Sequence, residues 1–411
     1  MGVKGAALLV ALLVGASVLA AIRSCSADAN TTTLPIKPKA SPPSPGDTSR
    51  KVAAVFPLEG NVYPRGGFDV QMSFGNSHNL YSMNIDSGSD VPWVQCQMPT
   101  QAVYPQPGRD KIIPCDDPRC KAVLASTGSK QCKSKGPCNY QVQYQDSSAK
   151  GVLIADTLTL HLTNGSTVRL LVAFGCGQWV KVTETGALTD GILGIGFGEI
   201  SIVSQLSSQG LFGKITGHCL NSNGGGFLFL GDNGRLPSGI TWVPMIPSDH
   251  YSPGPASLFW DNQPLGSQLI TVWLDSGTTF TYFGLHPYNS LISTLNGYVS
   301  TQPLKRAYDD PSLPYCWRGP QKFRTIADAQ RYFKILELRF ANGAAPMKLP
   351  PVNYLIISSK GNACLGILNG TQVGLKPDEN VIGDISLLDL MLIYDNDKKR
   401  IGWASTNFCR V

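Results

Sequence analysis

The tetrapeptide Asp-Ser-Gly-Ser/Thr occurs twice in this chain, as Asp86-Ser87-Gly88-Ser89 and as Asp275-Ser276-Gly277-Thr278. One copy alone reads as a turn, because Gly relieves steric strain while Asp and Ser cap nearby amides. Average composition yields such a tetrapeptide by chance at a rate of only ~0.03 in a chain of this length. Here each copy ends a hydrophobic run, Tyr81 to Ile85 before Asp86 and Leu269 to Leu274 before Asp275. Two carboxyls within hydrogen-bond reach can share one proton, since like-charge repulsion pushes their apparent pKa values apart. One can then take a proton from water while the other gives one to a carbonyl oxygen. That is the chemistry of amide hydrolysis without a metal or a covalent intermediate. Gly88 and Gly277 allow backbone amides to approach each carboxylate. Ser89 and Thr278 can hold the outer carboxylate oxygens, and Ser87 and Ser276 can tie the two loops together.

Such a pair needs two elements that bring it face to face. The sequence supplies them as an internal repeat. Gly191-Ile192-Leu193-Gly194 follows the first Asp-Ser-Gly, and Val381-Ile382-Gly383-Asp384 follows the second. Two related lobes are expected, joined near Thr241 to Ser252, where Pro244, Pro247 and Pro253 cluster. Short alternating runs predict strands at 70–74, 81–85, 151–155 and 157–162, with a turn at Asn164-Gly165, and an apolar strand at 227–230. Helices are few: 201–209, 288–295 and 327–333. With 43 Gly, 29 Pro and only 15% charged residues, the fold class is mainly β.

Other chemistries lack their residues. None of the five His residues (His78, His161, His218, His250, His286) forms HExxH or a triad pattern, and each reads as structural or exposed. Glu199 stands where a GxGxxG starting at Gly194 needs its last Gly, and no Walker sequence occurs. A net charge of +6 spread over 411 residues is too diffuse for a nucleic-acid partner. No cofactor or metal is implied, since no CxxC pair or His cluster accompanies the cysteines.

The apolar stretch from Ala6 to Ile22, between Lys4 and Arg23, reads as a secretory signal peptide, with an uncleaved anchor as the competing reading. Cys25 lies near the cleavage region, and the ten later cysteines are expected in disulfides. Sequons at Asn30, Asn164 and Asn369 fit the secretory pathway. The expected organisation is a signal peptide (1–26), a flexible leader or short pro-region (27–53) with order beginning near Val55, an N-terminal lobe (54–244) and a C-terminal lobe (245–411). The expected location is extracellular, apoplastic or vacuolar, as a monomer with no membrane insertion after cleavage.

At the paired motifs the chain resembles the pepsin-like aspartic proteases, and in detail their plant nucellin-like branch. The resemblance covers roughly residues 54 to 411. It extends through Ala173-Phe174-Gly175-Cys176-Gly177, His250-Tyr251-Ser252-Pro253-Gly254, Cys364-Leu365-Gly366-Ile367-Leu368 and Val381-Ile382-Gly383-Asp384-Ile385. It implies a bilobal pepsin-like fold of two pseudo-symmetric, β-barrel-like lobes with the cleft between them. It implies an endopeptidase acting on polypeptides, with Asp86 and Asp275 as the dyad. Tyr144 matches the tyrosine of the flap hairpin over the substrate, and Trp93 the indole that supports it; from the residues alone they read as a strand tyrosine and a core tryptophan. Cys316 and Cys364 are expected to pair, with other connectivities open.

The chain departs from the family pattern in places. The flap after Tyr144, Gln145 to Gly151, is short and lacks the usual tip Gly. No cysteines follow closely on Cys96, which must find another partner or stay free. The alternative function is an inactive homologue acting as a protein-binding, inhibitor-like module. A two-carboxylate glycosidase is a further alternative, one that needs separated acids in a sugar groove.

Overall fold

The computed structural model describes residues 52–406 and Cys409, apart from 77–78, 97–103, 130–131, 133–135, 146, 183–188 and 233–235. The signal and leader segments, Cys25 and the Asn30 sequon lie outside the described residues.

Alternation in the sequence becomes alternation in burial. In the strand Asn139–Gln143, Tyr140 and Val142 face inward while Asn139, Gln141 and Gln143 face solvent. The two segments expected at 151–155 and 157–162 form one strand, Ser147–His161, since no turn residue separates them. It pairs along its length with Thr167–Val182. The first strand, Ala53–Asn61, begins slightly earlier than expected because Ala53 already pairs with Gly231.

The strands assemble into a 13-stranded, an 8-stranded and a 4-stranded sheet. The largest holds the strands of the first half, and it also takes in Leu390–Asp395 and Arg400–Ser405 from the end of the chain. Leu390–Asp395 lies antiparallel to Ile215–Leu220, and Arg400–Ser405 lies antiparallel to Thr241–Pro244.

Helices fill the gaps. Ile202–Ser208 starts at Ser201, whose hydroxyl accepts from the Ser204 amide. The longest, Leu285–Val299, buries Tyr288, Leu291, Ile292, Leu295 and Val299 along one face. The third expected helix is the short Ile326–Ala329, continued by a 3-10 turn over Gln330–Tyr332. A helix at Pro118–Ser126 was not expected, although Asp117 caps it and Pro118 occupies its first turn. No helix among the described residues is long and apolar enough to cross a membrane.

Five disulfides use all ten later cysteines: 96–176, 115–132, 120–138, 219–409 and 316–364. Cys96 therefore has a partner in Cys176, despite the missing neighbours. Cys316 and Cys364 sit opposite each other on adjacent antiparallel strands.

Candidate active site

The two Asp-Ser-Gly loops grow from equivalent strand arrangements. Leu80–Asp86 lies parallel to Gly191–Gly194, with Asp86 opposite Gly194. Ile270–Leu274 lies parallel to Asn380–Ile382, with Leu274 opposite Ile382. The four repeat segments of the sequence thus form two matching strand pairs. Each delivers its aspartate at the carboxyl end of a buried strand.

The loops meet closely. A Cβ on Gly88 would lie 2.6 Å from Asp275 Oδ1, and one on Gly277 would lie 2.5 Å from Asp86 Oδ1. Only glycine leaves room for the opposing carboxyl. The Gly88 amide donates to Asp86 Oδ1 at 2.8 Å and Ser89 Oγ to Asp86 Oδ2 at 2.5 Å. In the other loop the Gly277 amide donates to Asp275 Oδ1 at 2.9 Å and Thr278 Oγ1 to Asp275 Oδ2 at 2.6 Å. Each carboxyl is therefore oriented through both oxygens.

A reciprocal lattice of serines locks the loops. Ser87 Oγ accepts from the Ser276 amide at 2.9 Å and donates to the Leu274 carbonyl at 3.1 Å. Ser276 Oγ accepts from the Ser87 amide at 3.1 Å and donates to the Ile85 carbonyl at 3.1 Å. Both serines are buried, so all four bonds are shielded from water.

Asp86 is buried and lies beside Asp275. Burial first, and the Asp275 charge second, push its pKa well above the carboxylate range, against the donors from Ser89 and Gly88. The pair is thus built to hold a shared proton.

Tyr144 stands just beyond the strand Asn139–Gln143, and its amide donates to the Ser147 carbonyl at 2.8 Å, closing a tight hairpin. Asp146 of this hairpin is outside the described residues. Trp93 Nε1 donates to Tyr144 Oη at 2.9 Å. Tyr144 lies beside Ser89, which donates to Asp86, so Trp93 and Tyr144 stand next to the dyad. Burial and the Asp86 charge raise the Tyr144 phenol, so it stays protonated. Trp93 itself is buried in a cluster with Val91, Ile113, Tyr140 and Leu153. All the sequence-nominated residues of the dyad and flap therefore meet at one place; Cys316 and Cys364 stand apart from them in the 4-stranded sheet.

Two neighbours were not nominated. Asp384 is 1% exposed, and neither carboxyl oxygen has a protein partner among the described residues. Its amide donates to the Thr278 carbonyl at 2.7 Å. Burial, then the charges of Asp275, Asp86 and Asp69, push its pKa far up. The sequence carried a trace of it, as the last residue of the second repeat segment. His250 reaches the carbonyl of Gly88.

Known proteins resemble this chain along most of its length. Residues 68–232 match the family model described as xylanase inhibitor N-terminal, and residues 262–405 match xylanase inhibitor C-terminal. An aspartic proteinase of Oryza sativa subsp. japonica is 38% identical over 378 residues, covering 87% of this chain and 92% of the relative. The chain belongs to the pepsin-like aspartic protease family. Aspartic proteinase 36 of Arabidopsis thaliana, a further relative, is 29% identical and covers 83% of this chain and 74% of its own. Among solved structures, basic 7S globulin from soybean superposes with a TM-score of 0.67 at 18% identity, covering 87% of this chain and 97% of that one. Conglutin gamma from lupine seeds superposes equally well, at 16% identity, with 86% and 95% covered. The fold is thus the mainly β, pepsin-like one of this family.

Proposed function

We propose that the protein is an aspartic endopeptidase that hydrolyses peptide bonds with a water held between Asp86 and Asp275. The observation that carries this reading is the facing pair of carboxyls, each oriented through both oxygens and cross-braced by Ser87 and Ser276. One carboxyl takes a proton from the water as it attacks the carbonyl carbon. The other gives its proton to the carbonyl oxygen, and proton return to the amine nitrogen lets the C–N bond break. Tyr144 closes over the bound chain, with Trp93 holding its hydroxyl. Polypeptides are the substrates, a monomer is the working form, and the secretory route to the cell exterior or vacuole is the location. The two lobes of this reading are residues 54–244 and 245–411.

The test is a peptide-library digest at acid pH. Wild type is expected to cleave and to be blocked by a pepstatin-type transition-state mimic. Asp86→Asn and Asp275→Asn are each expected to lose at least about a thousandfold in kcat while keeping the fold. Cleavage that survives either substitution defeats the proposal.

A second reading follows from the family models described as xylanase inhibitors: a protein-binding module on the same fold. Under it, Asp275→Asn leaves binding to a partner protein intact and there is no turnover to lose.

A further inference from the structure

Gly88 must lack a side chain, because a Cβ there would meet the carboxyl of Asp275. The same absence leaves its backbone free to rotate. Yet the two peptide groups flanking Gly88 set the site. The one before it supplies the amide that donates to Asp86 Oδ1 at 2.8 Å. The one after it leads into Ser89, whose hydroxyl donates to Asp86 Oδ2 at 2.5 Å. Something other than a local side chain must fix the orientation of this second peptide.

His250 is placed to do so. Its Nδ1 lies 3.1 Å from the carbonyl oxygen of Gly88, across 162 positions of sequence. A carbonyl oxygen only accepts, so Nδ1 carries the proton in this contact. The ring packs against Trp273, with centroids 4.7 Å apart. Trp273 belongs to the strand Ile270–Leu274 that ends at Asp275. The residues that follow His250 are anchored to the same strands. Tyr251 accepts from the Leu274 amide at 2.9 Å through its carbonyl, and its hydroxyl donates to the Ile195 carbonyl at 3.2 Å. Ser252 Oγ donates to the Val272 carbonyl at 2.8 Å. The imidazole therefore stands on a rigid strut, touching the loop of one aspartate while packed on the strand of the other.

We propose that His250 is a positioning residue for the dyad: its Nδ1–H fixes the Gly88–Ser89 peptide, and through it the Ser89 hydroxyl that orients Asp86. The proposal rests on the hydrolase reading above. Asn and Leu are close in shape, but only Asn offers an N–H near the place of Nδ1. His250→Leu is expected to lower kcat by about tenfold to a hundredfold, the size of loss that a small misplacement of a reacting group causes. KM and the melting temperature stay near wild type, and His250→Asn recovers most of the loss. His250→Ala serves in place of Leu if that variant does not fold. Wild-type kcat in the Leu or Ala variant, or an Asn variant as slow as Leu, overturns the proposal. If wild type binds a pepstatin-type ligand but does not turn over, the hydrolase reading alone fails. Ligand affinity then decides for His250, with Leu expected to be weaker and Asn equal to wild type. Equal affinities in all three, or no binding by wild type, overturn the positioning role.

Discussion

Asp384 is enclosed beside two aspartates without a protein partner for either oxygen among the described residues, so charge there is costly in the folded protein. Its folded pKa lies well above the ordinary 3.8, and the folded state therefore binds a proton that the unfolded chain releases. Raised carboxyl pKa values favour folding in acid, and the gain is lost as pH rises from near 3.8 toward the folded value. Asp86 acts in the same sense, for the reasons of burial and charge given above. Asparagine has the shape of the neutral acid and cannot ionise. Asp384→Asn is thus expected to melt with wild type at pH 4 and several degrees above it at pH 7. A variant that melts at or below wild type at pH 7 refutes the neutral-acid assignment. Asp86 and Asp275 were legible in sequence because their motif repeats after matched hydrophobic runs. Asp384 was legible only as the end of a repeat segment. Its isolation depends on Thr278, Asp275, Asp86 and Asp69, which are brought together by the fold and not by local sequence.

Trp93 supports Tyr144 from a strand of only three residues, Trp93–Gln95. So short an element has little stability of its own. It is held by parallel pairing, Trp93 opposite Gly175 and Gln95 opposite Gly177, and by the Cys96–Cys176 disulfide just beyond it. That bridge spans 80 residues of sequence, a long loop to leave open in the unfolded chain. Replacing both cysteines by Ala is expected to destabilise the protein by about 2–4 kcal/mol in denaturant titration. Cleavage is expected to weaken more than dyad burial alone predicts, because Trp93 loosens. An unchanged denaturation midpoint argues against the bridge as the strand's anchor. Strands announced themselves through alternation, as in Leu158 and Leu160 buried between half-buried Thr157 and Thr159. The helix Pro118–Ser126 was readable from Asp117-Pro118, a cap followed by a first-turn proline, yet its low amphipathicity hid it. The partner of Cys96 was not readable, since pairing depends on which strands become neighbours.

The last strands of the chain do not stay with their own half. Leu390–Asp395 pairs with Ile215–Leu220, and the Cys219–Cys409 bridge closes the same region over 190 residues of sequence. No local pattern announces such an exchange, because either strand would satisfy its alternation with many partners. At its centre lies His218, opposite Leu228 on one neighbouring strand and Leu392 on the other. It is fully buried, with Nε2 at 3.3 Å from Tyr394 Oη and Nδ1 without a protein partner among the described residues. Burial lowers its pKa to about 3 from the ordinary 6.5, so the folded protein keeps it neutral. The unfolded chain takes up a proton below pH 6.5 that the folded protein refuses, and stability falls as pH drops from 6.5 toward 3. At pH 4 this contributes a loss on the order of 3 kcal/mol. The slope is opposite to that of Asp384 and Asp86, so this buried base and those buried acids pull stability against pH in opposite directions. His218→Gln removes the base and leaves the acids. It is expected to be less stable than wild type at pH 7, through imperfect packing, but to lose less on going to pH 4, so that the two melting curves converge or cross in acid. Parallel losses for wild type and variant between pH 7 and pH 4 would show that His218 takes up its proton without unfolding, and that the exchanged strands admit charge at their centre.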